Sequence, residues 1–91
     1  MLPVEWSDEA QFDLADIQGY IEQVSPQAAV KLREAIESSV ERLPLAPYAF
    51  RKGRVAGTRE YVIRPNYLVI YMVSHHAIEI LRVLHARQEY P

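Results

Sequence analysis

Ninety-one residues, of which 49% are hydrophobic, predict one folded domain, residues 1–91, and leave no room for a second core. The chain has no cysteine, which excludes disulfides, a thiol nucleophile and a thiolate metal site. A formal net charge of −2 argues against a general nucleic-acid binder, which carries a basic excess.

The charge is unevenly placed. Residues 1–45 carry nine acids and three bases, and residues 46–91 carry seven bases and three acids. Either the halves complement each other within the fold, or the basic half meets an acidic partner or a phosphate backbone. Met1-Leu2-Pro3-Val4 lacks a basic region followed by a long apolar run, so no signal peptide is expected. No apolar stretch approaches the roughly 20 residues that span a bilayer. The expected setting is cytoplasmic, with no membrane partner. A core this small is marginal, and a partner that binds the folded state adds to its stability.

Val4-Glu5-Trp6 is the first strand candidate, with Val4 and Trp6 on one face. Ser7 is placed to cap a helix whose first turn holds Asp8 and Glu9, where negative charge suits the helix dipole. Ala10, Leu14, Ile17, Ile21 and Val24 recur at helical spacing, and Asp13, Asp16 and Glu22 fall away from that stripe. Ser25-Pro26 starts a second helix with the stripe Ala29, Leu32, Ile36, Val40 and Leu43, which Pro44 and Pro47 end. The short connection predicts an antiparallel helical hairpin. A basic connector follows, in which Tyr48 and Phe50 are expected to pin the chain to the core edge and Arg51, Lys52 and Arg54 to face solvent.

The last third reads as strands. Arg59, Tyr61 and Ile63 share one face, with Glu60, Val62 and Arg64 on the other. Arg64-Pro65-Asn66 is a turn signal that makes a hairpin with the next run. Tyr67 to Val73 is apolar on both faces, as in a central strand covered on each side. In the final run, strict alternation puts Ile78, Ile80, Arg82 and Leu84 together, with Glu79, Leu81, Val83 and His85 opposite. Arg82 then needs solvent, a ligand or a carboxylate, Glu60 or Glu79 being the candidates in reach of the strands. His75 and His76 sit in a turn without a third ligand, so no metal site is expected. There is no glycine-rich phosphate loop or Ser/His/Asp order, and no cofactor is expected.

The order of elements, with Gly57-Thr58-Arg59-Glu60 and the ending Val83-Leu84-His85-Ala86-Arg87, resembles the RelE/ParE superfamily of small bacterial toxins. The first motif is similar to that family's Gly-Leu-Arg-Glu, and the second to the Leu/Ile-His-x-Arg ending of ParE-type members. Met1-Leu2-Pro3-Val4 and Tyr90-Pro91 resemble one ParE subgroup. The resemblance implies an α+β fold in which an N-terminal strand and helical hairpin pack on a small, mainly antiparallel sheet. It also implies the toxin of a type II toxin–antitoxin pair, neutralised by a cognate antitoxin.

Two branches of the superfamily imply different chemistry. RelE-like members cut messenger RNA on the ribosome and need a proton-transfer group and cations around one phosphate. Their middle strand carries Tyr-Arg-Leu-x-Tyr, whereas this chain reads Tyr67-Leu68-Val69-Ile70-Tyr71, with Leu68 at the arginine position. ParE-like members lack the nuclease set and are associated with binding DNA gyrase, which makes a non-enzymatic inhibitor the better fit. As a nuclease the chain would rely on Arg59, His85, Arg87 and Tyr90. As a gyrase inhibitor it would present Arg59, Arg82, His85 and Arg87. The antitoxin is expected on the helical hairpin and sheet edge, at Leu14, Ile21, Leu32, Ile36 and Tyr71. A homodimer or a larger toxin–antitoxin assembly is compatible with this reading.

Overall fold

The computed structural model describes residues 1–63, 66–88 and 90. Over these, the chain runs β1 (Val4–Trp6), α1 (Asp8–Glu22), α2 (Pro26–Glu41), a 3-10 turn (Leu43–Leu45), β2 (Arg51–Lys52), β3 (Arg59–Ile63), β4 (Tyr67–Val73) and β5 (Ile78–His85). The strands form one mixed sheet in the order β1-β5-β4-β3-β2. β1 runs parallel to β5, and the other neighbours are antiparallel. This is the expected α+β arrangement of helical hairpin on sheet. Arg64 and Pro65 of the expected turn, and Pro91, lie outside the described residues.

Both helices begin where capping chemistry places them. Ser7 Oγ accepts the Ala10 N–H at 3.0 Å, and its own hydroxyl donates to the Leu81 carbonyl at 2.9 Å, so one cap also ties α1 to β5. Ser25 Oγ accepts the Ala28 N–H, and Pro26 takes the first helical position. Arg33 Nη1 donates to Gln18 Oε1 at 2.6 Å across the hairpin.

The predicted stripes of Ala10, Leu14, Ala29, Ile36, Val40 and Leu43 are buried. Val24 is exposed, because α1 ends at Glu22 and the stripe stops with it.

One face of the sheet receives the helices. There Tyr67, Val69 and Tyr71 of β4 pack with Leu14, Ile36, Val40, Ile78 and Ile80. On the other face Leu68 and Ile70 join Leu84 in a smaller cluster, with Leu81 and Tyr90 against it. β4 is therefore the covered central strand that its two apolar faces predict.

β5 departs from strict alternation. Tyr71 pairs with Ile80 but Ile70 pairs with Arg82, which leaves Leu81 as the extra residue of a β-bulge. The bulge turns Val83 onto the helix side, where it joins the main core beside Ile78 and Ile80. Beyond it, Arg82 and Leu84 share the opposite face with Ile70 and Leu68.

Candidate functional site

The bulge also decides the fate of Arg82. Strand β1 covers β5 only as far as Ile80, and Ser7 N–H then donates to the Ile80 carbonyl. The next part of the β5 edge is taken by a side chain of α1. Asp13 accepts from Arg82 Nε at 2.7 Å, from Arg82 Nη2 at 3.0 Å and from the Val83 N–H at 2.9 Å. Glu9 adds a weaker approach at 4.0 Å. The hydrogen bonds that Arg82 donates to Asp13 hold its guanidinium's pKa above the ordinary value, opposed by desolvation and helped by the charges of Asp13 and Glu9. Arg82 was expected to meet Glu60 or Glu79. It meets Asp13 instead, because the edge of β5, not its face, holds the open donor. Glu60 is buried and takes Arg51 Nε at 2.6 Å.

Arg59 lies at the other end of the sheet. Its Nη1 donates to the carbonyls of Phe50 (2.8 Å) and Tyr48 (3.3 Å), and its guanidinium lies over the Tyr48 ring at 5.0 Å. Tyr71 stands opposite it in register and donates its hydroxyl to the Pro47 carbonyl at 2.7 Å. Burial pushes the Tyr71 phenol up, and the nearby Arg59 charge offsets part of that. Phe50 stacks on Tyr61 at 4.2 Å and packs against the core, as expected. Tyr48 does not: it is 65% exposed and held by Arg59 rather than by the core.

His85 closes β5 opposite Tyr67, with their rings edge-on at 5.6 Å. Its Nδ1 accepts the Arg87 N–H at 3.2 Å, so the neutral ring carries its proton on Nε2. The His85 N–H donates to Gln88 Oε1 at 2.7 Å, and Arg87 is exposed beside it.

Arg59 and His85 share the helix-side face but sit four residues apart along β4, in the rungs of Tyr71 and Tyr67. At about 3.4 Å per residue that is roughly 14 Å, too far to hold one phosphate. Tyr90 lies on the opposite face, against Ile70 and Leu84, where Arg54 donates to its carbonyl at 3.1 Å and stacks on its ring. The four residues of the nuclease set therefore stand in three separate places.

Of the residues expected to meet an antitoxin, Leu14, Ile36 and Tyr71 are buried in the core and offer no surface. The helical stripe that suggested them is the face turned to the sheet. Ile21 and Leu32 are half-buried. The apolar surface that the stripes did not reveal is on the far side of α1, where Phe12 is 69% and Tyr20 72% exposed. Their signal in the sequence was two aromatics off the core stripe of a helix that has no lysine or arginine. Tyr20 and Ile21 line a groove of about 310 Å³ that reaches Tyr67 and His85. His75 and His76 are exposed, with rings 5.6 Å apart, and among the described residues no three His, Asp or Glu side chains converge on a metal position. No helix of the described residues is long and apolar enough to cross a membrane.

A helical hairpin packed on one face of a five-stranded mixed sheet defines a small α+β protein. Residues 4–90 match the ParE toxin of type II toxin–antitoxin systems, parDE, and the chain belongs to that family. It is 36% identical over 89 residues to a Sinorhizobium fredii protein described as "Putative toxin Y4kP", spanning 97% of this chain and 92% of that one. Toxin RelE2 of Caulobacter vibrioides is 34% identical over 88 residues, spanning 94% of this chain and 97% of that one. Among solved structures, one titled as the chromosomal ParDE TA system from P. aeruginosa superposes with a TM-score of 0.87 at 25% identity, covering 96% of this chain and 98% of that one. The chain is thus a type II toxin of RelE/ParE type, and its family implies a cognate antitoxin as partner.

Proposed function

We propose that this toxin arrests growth by binding DNA gyrase, as a contact inhibitor and not as a nuclease. The observation that carries the reading is Leu68. At the position where RelE-like nucleases place an arginine, Leu68 is buried in the apolar cluster on the face away from the helices. It cannot stabilise a phosphorane, and Arg59, His85 and Tyr90 are too dispersed to replace it. With Arg82 bound to Asp13, the residues best presented to a target are His85 and Arg87 at the end of β5.

Charge supports a place for the antitoxin on α1. The outer face of α1 carries Asp8, Glu9, Asp16 and Glu22 beside exposed Phe12 and Tyr20. That combination suits a basic amphipathic helix, with an apolar stripe on the aromatics and lysines or arginines on the acids. A helix seated along Tyr20 and Ile21 also reaches the groove that ends at His85, so one partner covers the contact surface. Expression in cells tests the reading. Gyrase inhibition gives DNA-damage signals with uncut translated message. A ribosome-dependent nuclease, the rival reading that the name of its relative RelE2 keeps open, gives message cuts at the ribosomal A site that vanish on His85→Ala or Arg87→Ala.

A further inference from the structure

β2 and β3 make two rungs with opposite electrostatics. In one, Arg51 faces Glu60 and donates to it. In the next, Lys52 faces Arg59. Like charges directly opposite each other on a ladder repel. Neither Lys52 nor Arg59 meets a carboxylate among the described residues. Arg59 is held in place without being neutralised, since its Nη1 bonds go to carbonyls and its flat face goes to Tyr48. Among the described residues its Nε and Nη2 donors are left for something else.

The loop after Lys52 shapes the space above this rung. Gly53 N–H donates to the Thr58 carbonyl at 2.8 Å, and Thr58 Oγ1 donates to the Val55 carbonyl at 2.6 Å. A Cβ on Gly53 would come within 2.2 Å of Thr58 Oγ1, and Gly57 has φ +83°. Both positions therefore require glycine. The N–H groups of Ala56 and Gly57 donate to no acceptor among the described residues. The result is a cavity of about 460 Å³ lined by Tyr48, Lys52, Gly53, Gly57, Thr58 and Arg59 among others, with no acid in its lining.

We infer that this cavity is a phosphate-binding site. A tetrahedral dianion neutralises both cations of the rung, and the free donors of Arg59 suit its oxygens. A single carboxylate carries half the charge and leaves the repulsion partly in place. The volume exceeds one phosphate, and the exposed ring of Tyr48 at the rim suits the sugar or base attached to it. The source is a free nucleotide or the phosphorylated end of a nucleic-acid strand, since an internal phosphodiester carries only one charge. The inference does not depend on the gyrase reading, because the site lies at the other end of the sheet from His85 and Arg87.

The test is amide and arginine Nε NMR of the full-length chain, titrated with inorganic phosphate at constant ionic strength against a chloride control. Saturable shifts centred on Gly53, Ala56, Gly57 and Arg59 Nε are expected. Lys52 is exposed, so Lys52→Gln should leave the fold intact while weakening binding about tenfold, and Lys52→Arg should restore it. Parallel titrations use adenosine diphosphate and a short 5′-phosphorylated oligodeoxynucleotide. Tighter binding of the first with shifts in the Tyr48 ring assigns a nucleotide, tighter binding of the second assigns a phosphorylated strand end, and equal binding of all three assigns the phosphate group alone. Unsaturable shifts that match the chloride control, or a Lys52→Gln protein that binds like the parent, overturn the inference.

Discussion

Replacing Asp13 by alanine should destabilise this protein far more than an ordinary change on a helix surface. The Asp13 carboxylate is 15% exposed and accepts three hydrogen bonds, two from Arg82 and one from the Val83 backbone. The Val83 bond is the more costly loss, since the edge donor is left without its acceptor. A bond to a charged group contributes about 1.5–3 kcal/mol. Arg82 is 41% exposed and can turn to water, so its two bonds together add only about 1 kcal/mol after screening. The sum is about 3 kcal/mol. At roughly 4–8 °C per kcal/mol for a domain of this size, the melting temperature should fall by about 12–24 °C. Asp13→Asn keeps an acceptor for Val83 and should cost about half as much. Urea unfolding of the parent, Asp13→Ala, Arg82→Ala and the double variant measures both the loss and the coupling. An Asp13→Ala loss below about 0.5 kcal/mol, within the range of ordinary surface changes, would refute the assignment of Asp13 as the link between α1 and the β5 edge.

Three further outcomes are expected. Ile36→Ala, which empties a fully buried site between α2 and the sheet, should cost about 2–5 kcal/mol in urea unfolding with the fold retained. Tyr71 is neutral in the core with a raised pKa, whereas the unfolded chain releases that proton near the ordinary 10.0. Its contribution is therefore complete below pH 10 and is lost as pH rises through the higher folded value, and Tyr71→Phe should flatten that alkaline decline in thermal melts. Phe12→Ser on the outer face of α1 should leave melting unchanged and weaken antitoxin binding by about tenfold in calorimetry. Unaltered affinity would move the antitoxin elsewhere.

Local chemistry was readable from the chain. Ser7 and Ser25-Pro26 mark the helix starts because capping involves neighbours three residues away. The two apolar faces of Tyr67–Val73 mark the central strand because burial on both sides removes alternation. What the chain did not reveal depends on register. The bulge at Leu81 has no residue signature, yet it moves Val83 into the core and Arg82 to the far face. Asp13 lies 69 residues from Arg82, and a helical period assigns it to solvent until the open edge of β5 is known. The same blindness placed Leu14, Ile36 and Tyr71 on a partner surface. An apolar stripe says that a face is covered, not by what. His85, Arg87 and Arg59 were readable as candidates, but their distance from each other follows only from strand pairing.

The most direct test of action by contact is a gyrase supercoiling assay titrated with purified toxin, with and without its antitoxin. Supercoiling should fall with toxin and return when antitoxin is added, and His85→Ala and Arg87→Ala should weaken the inhibition while the proteins stay folded. Unchanged supercoiling at large toxin excess would contradict the account and shift the activity to ribosome-bound message.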